Sequence, residues 1–149
     1  MLETLLIRKA TRDDIPRIME IRAGVRENIL RDSSRVTFND VCWFVDNPGI
    51  FVWIDDQRVV GFSAADPRNG NVYGLFVEGG YERRGIGRAL FECACDVLIE
   101  AGCPRIWLTT WPGTRAERFY REAGWQVTGE DDGNLVFERP INMERAGDV

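Results

Sequence analysis

Between residues 72 and 101 the apolar pattern changes from the period of a strand to the period of a helix, with a glycine-containing loop at the change. Strand side chains alternate between two faces, whereas helical ones return to one face every three to four residues. Residues 72–77 therefore end a buried strand. Ile86, Leu90, Phe91, Ala94, Val97, Leu98 and Ala101 then make the inward stripe of a helix that opens at about Gly85. Gly102 closes that helix and Pro104 follows just beyond.

The flanking sequence limits the fold around this segment. Residues 5–10 read as a short strand, followed by a helix from Asp13 or Asp14 with Pro16 in its first turn. Ile15, Ile18, Met19, Val25 and Ile29 form its stripe, and residues 26–35 are a polar loop. Thr37 and Asp40 have capping-box spacing and open a short helix with Phe38, Val41 and Val45 on one face, ended by Pro48-Gly49. Residues 50–54, 59–64 and 72–77 read as an antiparallel meander turned at Asp55-Asp56-Gln57-Arg58 and Pro67-Arg68-Asn69-Gly70. A strand over 105–111, a helix on Ala116, Phe119, Tyr120 and Ala123 capped by Gly124, and strands over 125–128 and 135–138 complete the order β-α-α-β-β-β-α-β-α-β-β. One domain is expected over residues 1–140, with a polar tail over 141–149.

Several function classes fall away on composition. The chain has no histidine, which removes Ser-His-Asp and Cys-His catalysis and imidazole metal sites. Its four cysteines include no CxxC pair, and Cys93 and Cys95 point about 200° apart on a helix, so no metal is expected. A net charge of −5 argues against nucleic acid as a partner. No apolar run approaches the roughly 20 residues that span a bilayer. The N-terminal residues lack a signal-peptide pattern, so a cytoplasmic protein with no membrane partner is expected.

The loop at the change of period has its own chemistry. The first N–H groups of a helix lack intrahelical partners, and the macrodipole adds roughly half a positive charge there. Gly85 and Gly87 let an anion approach the backbone closely. Arg83, Arg84 and Arg88 against Glu82 leave a local charge of +2. Such a cradle suits a pyrophosphate. The dinucleotide fingerprint G-x-G-x-x-G fails because position 90 is Leu, and the P-loop pattern is absent. An antiparallel meander upstream also disagrees with the parallel βαβ units of nucleotide folds.

Glu82-Arg83-Arg84-Gly85-Ile86-Gly87 resembles the coenzyme-binding motif Gln/Arg-x-x-Gly-x-Gly/Ala of the GCN5-related N-acetyltransferases (GNAT), with Glu in its first position. The segment from Ala116 through Tyr120 to Gly124-Trp125 resembles the family's second signature, A-x-x-x-Y-x-x-x-G-F, with Trp for Phe and Gly113 where an Asn often precedes it. The resemblance implies an α/β (α+β) fold in a single GNAT-type domain. Its sheet would be mixed and mostly antiparallel, with six to seven strands, about four flanking helices, and fourth and fifth strands that splay apart.

The resemblance also implies the chemistry. Acetyl-CoA is the implied cosubstrate, its pantetheine between the splayed strands on main-chain groups of Phe76 and Val77. Its pyrophosphate would lie on the backbone of Arg83, Arg84, Gly85, Ile86, Gly87, Arg88 and Ala89. An amine of a small molecule or peptide would attack the thioester directly, with Tyr120 as the general acid for the coenzyme A thiolate. The family's usual Glu at the start of the fourth strand is Asn71 here, which can hold a relay water but cannot take a proton. Tyr73, Glu27 and Asp32 are the other candidates for handling the amine proton. Glu27, Asn28 and Tyr73 are the candidate substrate-binding residues, beside an acidic turn at Glu130, Asp131 and Asp132. A homodimer is allowed. A non-catalytic acyl-CoA-binding regulatory module is the alternative reading.

Overall fold

Residues 50–77 form the β meander that their apolar runs predict, and the remaining elements are arranged around it. The computed structural model describes residues 6–24, 37–47, 49–81 and 85–140. In chain order these give β1 (Ile7–Lys9), a 3-10 turn (Arg12–Asp14), α1 (Ile15–Gly24), α2 (Phe38–Asp46), β2 (Ile50–Asp55), β3 (Arg58–Asp66) and β4 (Asn71–Val77). Then follow α3 (Ile86–Glu100), β5 (Trp107–Thr110), α4 (Arg115–Glu122), β6 (Gln126–Asp131) and β7 (Asn134–Glu138). The seven strands make one sheet in the order β1-β2-β3-β4-β5-β7-β6, and β4 with β5 is its one parallel pair. The architecture is the mixed, mostly antiparallel α/β fold expected, with four α-helices among the described residues.

Local chemistry accounts for the main turns. Asp56 and Gln57 both have positive φ, 51° and 65°, which gives the two-residue β2–β3 connection the twist that a hairpin needs. Asp132 and Gly133 repeat this between β6 and β7. Eight successive residues of β3 are buried because helices cover both faces of the sheet. Phe62 and Ala64 pack with Ile18 and Ile21 of α1 and Val41 and Phe44 of α2. On the other face Val60 joins Ile86 and Leu90, and Ala65 joins Phe91, Leu108, Tyr120 and Phe137. Fully burying a side chain such as Phe62 or Leu90 stabilises by roughly 1.5–3 kcal/mol.

Three details differ from the sequence expectation. Phe38 is 58% exposed, and Phe44 takes an inward place instead, because α2 meets the sheet through Val41 and Phe44 beside Phe62. On α3, Cys95 is buried while Ala101 is exposed past the helix end. The strand expected over 105–111 is only Trp107–Thr110, since its ladder with β7 starts at Trp107 opposite Glu138. Val25 and Ile29 lie outside the described residues.

Candidate active site

Although β4 and β5 are neighbours, they share a single bridge, Asn71 opposite Trp107. Three hydrogen bonds pin that end. Trp107 N–H donates to the Gly70 carbonyl at 3.0 Å, Asn71 Nδ2 to the Trp107 carbonyl at 3.2 Å, and Trp107 Nε1 to the Asn69 carbonyl at 3.0 Å. The approach requires glycine at 70, where a Cβ would meet the Arg105 carbonyl oxygen at 1.9 Å. Beyond this point β4 stays with β3 and β5 stays with β7, so the sheet divides. Among the described residues no strand pairs with the β5-facing edge of β4 from Val72 to Val77. That edge leaves main-chain donors and acceptors for an extended ligand. Phe76 and Val77 lie on it, paired on their other side with Phe62 and Gly61. Asn71, which the sequence leaves able to hold a relay water, donates its Nδ2 to the Trp107 carbonyl and so helps close the base of the split.

A β-bulge then redirects one side chain. Ala64 pairs with Gly74 and Ala65 with Val72, which makes Tyr73 the inserted residue. Strict alternation would place Tyr73 with Leu75 and Val77, which pack toward α3. The bulge instead turns it to the opposite face, where its ring centroid is 4.7 Å from that of Phe44.

The α3 side of the split is built from backbone. Gly85 caps α3 with φ 79°, a left-handed conformation that favours glycine. The first helical bond is donated by Ala89 N–H to the Gly85 carbonyl, so the amides of Ile86, Gly87 and Arg88 have no intrahelical acceptor. A Cβ at Gly87 would meet only Val77 Cγ2 at 3.7 Å, so the protein itself leaves that space open. Ile86 is buried and anchors the turn against Val60 and Leu90, while Arg88 is exposed. Glu78, at the entrance to the loop, is held by Arg17 and Arg58, each at 2.7 Å, and Arg17 chiefly keeps its carboxyl below the usual range. Glu82, Arg83 and Arg84 lie outside the described residues.

Tyr120 sits in α4 on this same face. Thr114 caps the helix by accepting from Glu117 N–H. Only 7% of Tyr120 is exposed, and its ring packs against Phe91, Phe119, Trp125 and Phe137. Burial, with a smaller contribution from Cys95, raises the phenol above its ordinary pKa, so it is neutral and protonated at pH 7. The thiol of Cys95 is likewise pushed up to about 12 by burial. Tyr120 is thus a core aromatic that keeps its proton.

The opposite face is built from side chains. Tyr73 Oη donates to Asp40 Oδ2 at 2.9 Å, and Thr37 N–H donates to the same oxygen at 3.2 Å. Burial alone would raise the Asp40 pKa, but the bonds from Tyr73 and Thr37 and the charge of Arg68 hold the carboxyl below its ordinary value. Arg68 is fixed by Asp66 at 2.8 Å and lies 3.7 Å over the Trp43 ring. Across the split, Leu135 and Phe137 of β7 pack toward α3 and α4, so alternation puts Asn134 on the face of Tyr73. Asn134 is 3% exposed and its Oδ1 has no hydrogen-bond partner. Among the described residues no group of three His, Cys, Asp or Glu could hold a metal ion. No described helix is long and apolar enough to cross a membrane.

The model of the Acetyltransferase (GNAT) family matches residues 15–125, most of the chain. The chain belongs to the GNAT family. Solved structures share its fold at low sequence identity. Ribosomal-protein-alanine N-acetyltransferase from Brucella melitensis aligns at TM-score 0.72 and 20% identity, over 91% of this chain and 99% of that one. PaiA N-acetyltransferase from Thermoplasma acidophilum, solved with coenzyme A, aligns at TM-score 0.72 and 17% identity, over 92% and 99%. YncA from Salmonella typhimurium, solved with its cofactor acetyl-CoA, aligns at TM-score 0.74 and 17% identity, over 98% and 99%. Among curated proteins no sequence match is found.

In this GNAT chain the structure brings Phe76, Val77, Gly85, Ile86, Gly87, Arg88 and Ala89 to the strand–helix junction and Tyr73 to the far face. Glu27, Asn28 and Asp32 lie outside the described residues. Glu130, Asp131 and Asp132 are exposed on the outer hairpin, and the buried polar group of that hairpin is Asn134. The link between Asp40 and Tyr73 escaped the sequence reading. Its signal was the capping-box spacing of Thr37 and Asp40, which explained Asp40 as a cap alone.

Proposed function

We propose that this GNAT protein transfers the acetyl group of acetyl-CoA to a primary amine of a small molecule or peptide by direct attack. The observation that carries this reading is the split between β4 and β5, closed at Asn71–Trp107 and open beside the amides that start α3. Acetyl-CoA would supply an activated acetyl thioester. Main-chain groups at Phe76 and Val77 would hold its pantetheine arm. The amides of residues 83–89, with Arg83, Arg84 and Arg88, would hold its pyrophosphate. The open space at Gly87 and the paired charge of Glu78 fit an anion there.

Tyr120 is the proton donor to the departing thiolate. Burial keeps its proton in place at neutral pH, and a thiolate forming beside it would be the base that draws the proton away. The acceptor amine enters on the face of Tyr73 and Asn134. Glu27 and Asn28, which lie between α1 and α2 in the sequence, and the β6–β7 turn would be further contacts of the acceptor.

Thiol release with acetyl-CoA over a panel of amines and peptides tests this reading. Tyr120→Phe keeps the ring contacts and is expected to lower kcat by about 100-fold with little change in coenzyme affinity. An unchanged kcat would remove Tyr120 from the acid role. Coenzyme binding without turnover across the panel would instead favour an acyl-CoA-binding regulatory module.

A further inference from the structure

We propose that Tyr73 and Asp40 together accept the proton that the attacking amine must lose. The inference rests on the acetyl-transfer reading; it chooses Tyr73 among the proton acceptors that the sequence left open and adds Asp40 as its partner. Three observations carry it.

The first is position. Tyr73 lies two residues past Asn71, the last residue of β4 bridged to β5, and so just inside the closed end of the split. The second is direction. The bulge removes Tyr73 from the α3 face, where Leu75 and Val77 remain, and sends it to the face left for an acceptor. The third is the hydrogen bond from Oη to Asp40 Oδ2 at 2.9 Å, which makes Asp40 the natural destination of the phenol proton. A phenol that donates to a carboxylate has a more basic oxygen, suited to accept from a nitrogen.

The transfer balances without any further reactant. The amine nitrogen forms a bond to the acetyl carbon, and the carbon–sulfur bond breaks. As the nitrogen bonds to carbon it becomes acidic, and its surplus proton moves to Tyr73 Oη while the phenol proton moves to Asp40 Oδ2. The departing sulfur takes its proton from Tyr120. Once the products leave, Asp40 returns its proton to solvent and the Tyr120 phenolate takes one back, so both groups regain their resting states. Tyr73 is the catalytic residue of the pair, and Asp40 acts through it.

The surroundings keep Asp40 ready to receive. Among the described residues the groups that face it are Tyr73 of β4, Thr37 of its own cap and Arg68 of the β3–β4 turn. Arg68 is in turn engaged by Asp66 and Trp43. These contacts favour the carboxylate. The acid therefore stays ionised as pH falls to and below its ordinary value, and loses its accepting role only below that range.

Asp40→Asn, Tyr73→Phe and the double variant test the pair. Asparagine keeps an oxygen for the Thr37 N–H, and Phe keeps the ring against Phe44, so folding is expected to survive. Each single variant should lower kcat by about 100-fold, recover partly as pH rises, and leave coenzyme affinity unchanged. The double variant should be no worse than the weaker single, because the two act as one unit. A readout apart from turnover is the Tyr73 phenol pKa in the free protein, which should fall in Asp40→Asn. Single variants with wild-type kcat, losses that multiply in the double, or a phenol pKa indifferent to Asp40 would overturn the proposal. A wild type that binds coenzyme but releases no thiol with any amine overturns the acetyl-transfer reading and this one with it. Active wild type with active variants overturns this one alone.

Discussion

The two faces of the split are made of different material. Toward α3 the groups that would meet a ligand are backbone amides at Ile86, Gly87 and Arg88, set by the cap at Gly85 and spaced by the helix itself. Toward α1 and α2 they are side chains, Tyr73 turned in by a bulge and backed by Asp40 of a helix cap, and Asn134 on a further strand. A backbone site tolerates most substitutions and fails only where bulk intrudes. A side-chain site fails at each member. The first suits a ligand common to many relatives, and the second suits one peculiar to this chain.

The sharpest way to break this contrast is Gly87→Val. The free protein has room for the new side chain, whose Cβ would meet only Val77 Cγ2 at 3.7 Å, so the melting temperature should change little. Bulk pointing at the amides should nevertheless weaken acetyl-CoA by more than about 100-fold, read by calorimetry, as expected where backbone must approach an anion closely. Unchanged affinity would remove the cradle from the α3 end.

A smaller effect should separate the faces by pH. The buried carboxylates Asp14 and Asp66 lie on the α1/α2 side or its turn, and their arginine partners, Arg8 and Arg68, hold both below the ordinary range. A depressed folded pKa means stability present above the unfolded value, about 4, and lost as pH falls through the folded one. Tyr120 is raised instead, so its contribution is present below about pH 10 and lost at higher pH. Hydrogen exchange followed against pH should therefore loosen the α1/α2 side first in acid and the α4 side first in alkali. Asp14→Asn should flatten the acid arm. Identical loosening of both sides would show that the two cores respond as one.

The smallest effect concerns Asn134. Its buried Oδ1 lacks a partner, so Asn134→Leu should stabilise the fold by about 1 kcal/mol in thermal unfolding. If the oxygen is kept for an acceptor, the same variant should raise KM for the amine several-fold and leave coenzyme affinity alone. Stabilisation without any change in KM would make it a packing position only.

These contrasts follow what could be read along the chain. The helix at 86, its glycines and Tyr120 were legible because cap geometry, amphipathic period and aromatic spacing depend on residues a few places apart. The α2 cap was legible for the same reason, and the Thr37–Asp40 bonds are present. Phe38 was misplaced because a stripe gives a helix face but not how far that face reaches across a sheet.

The amino-acid sequence by itself determined the order of elements, the glycine-capped start of α3 and the family. Each of these is encoded in runs of a few consecutive residues whose backbone preferences are local. Only the tertiary structure decided that Asn71 closes the split, that Tyr73 leaves the α3 face, and that it meets Asp40 across 33 positions of chain. Strand register sets all three. A one-residue bulge in β4 moves a side chain from one face of the sheet to the other, and no local pattern in residues 71–77 records it.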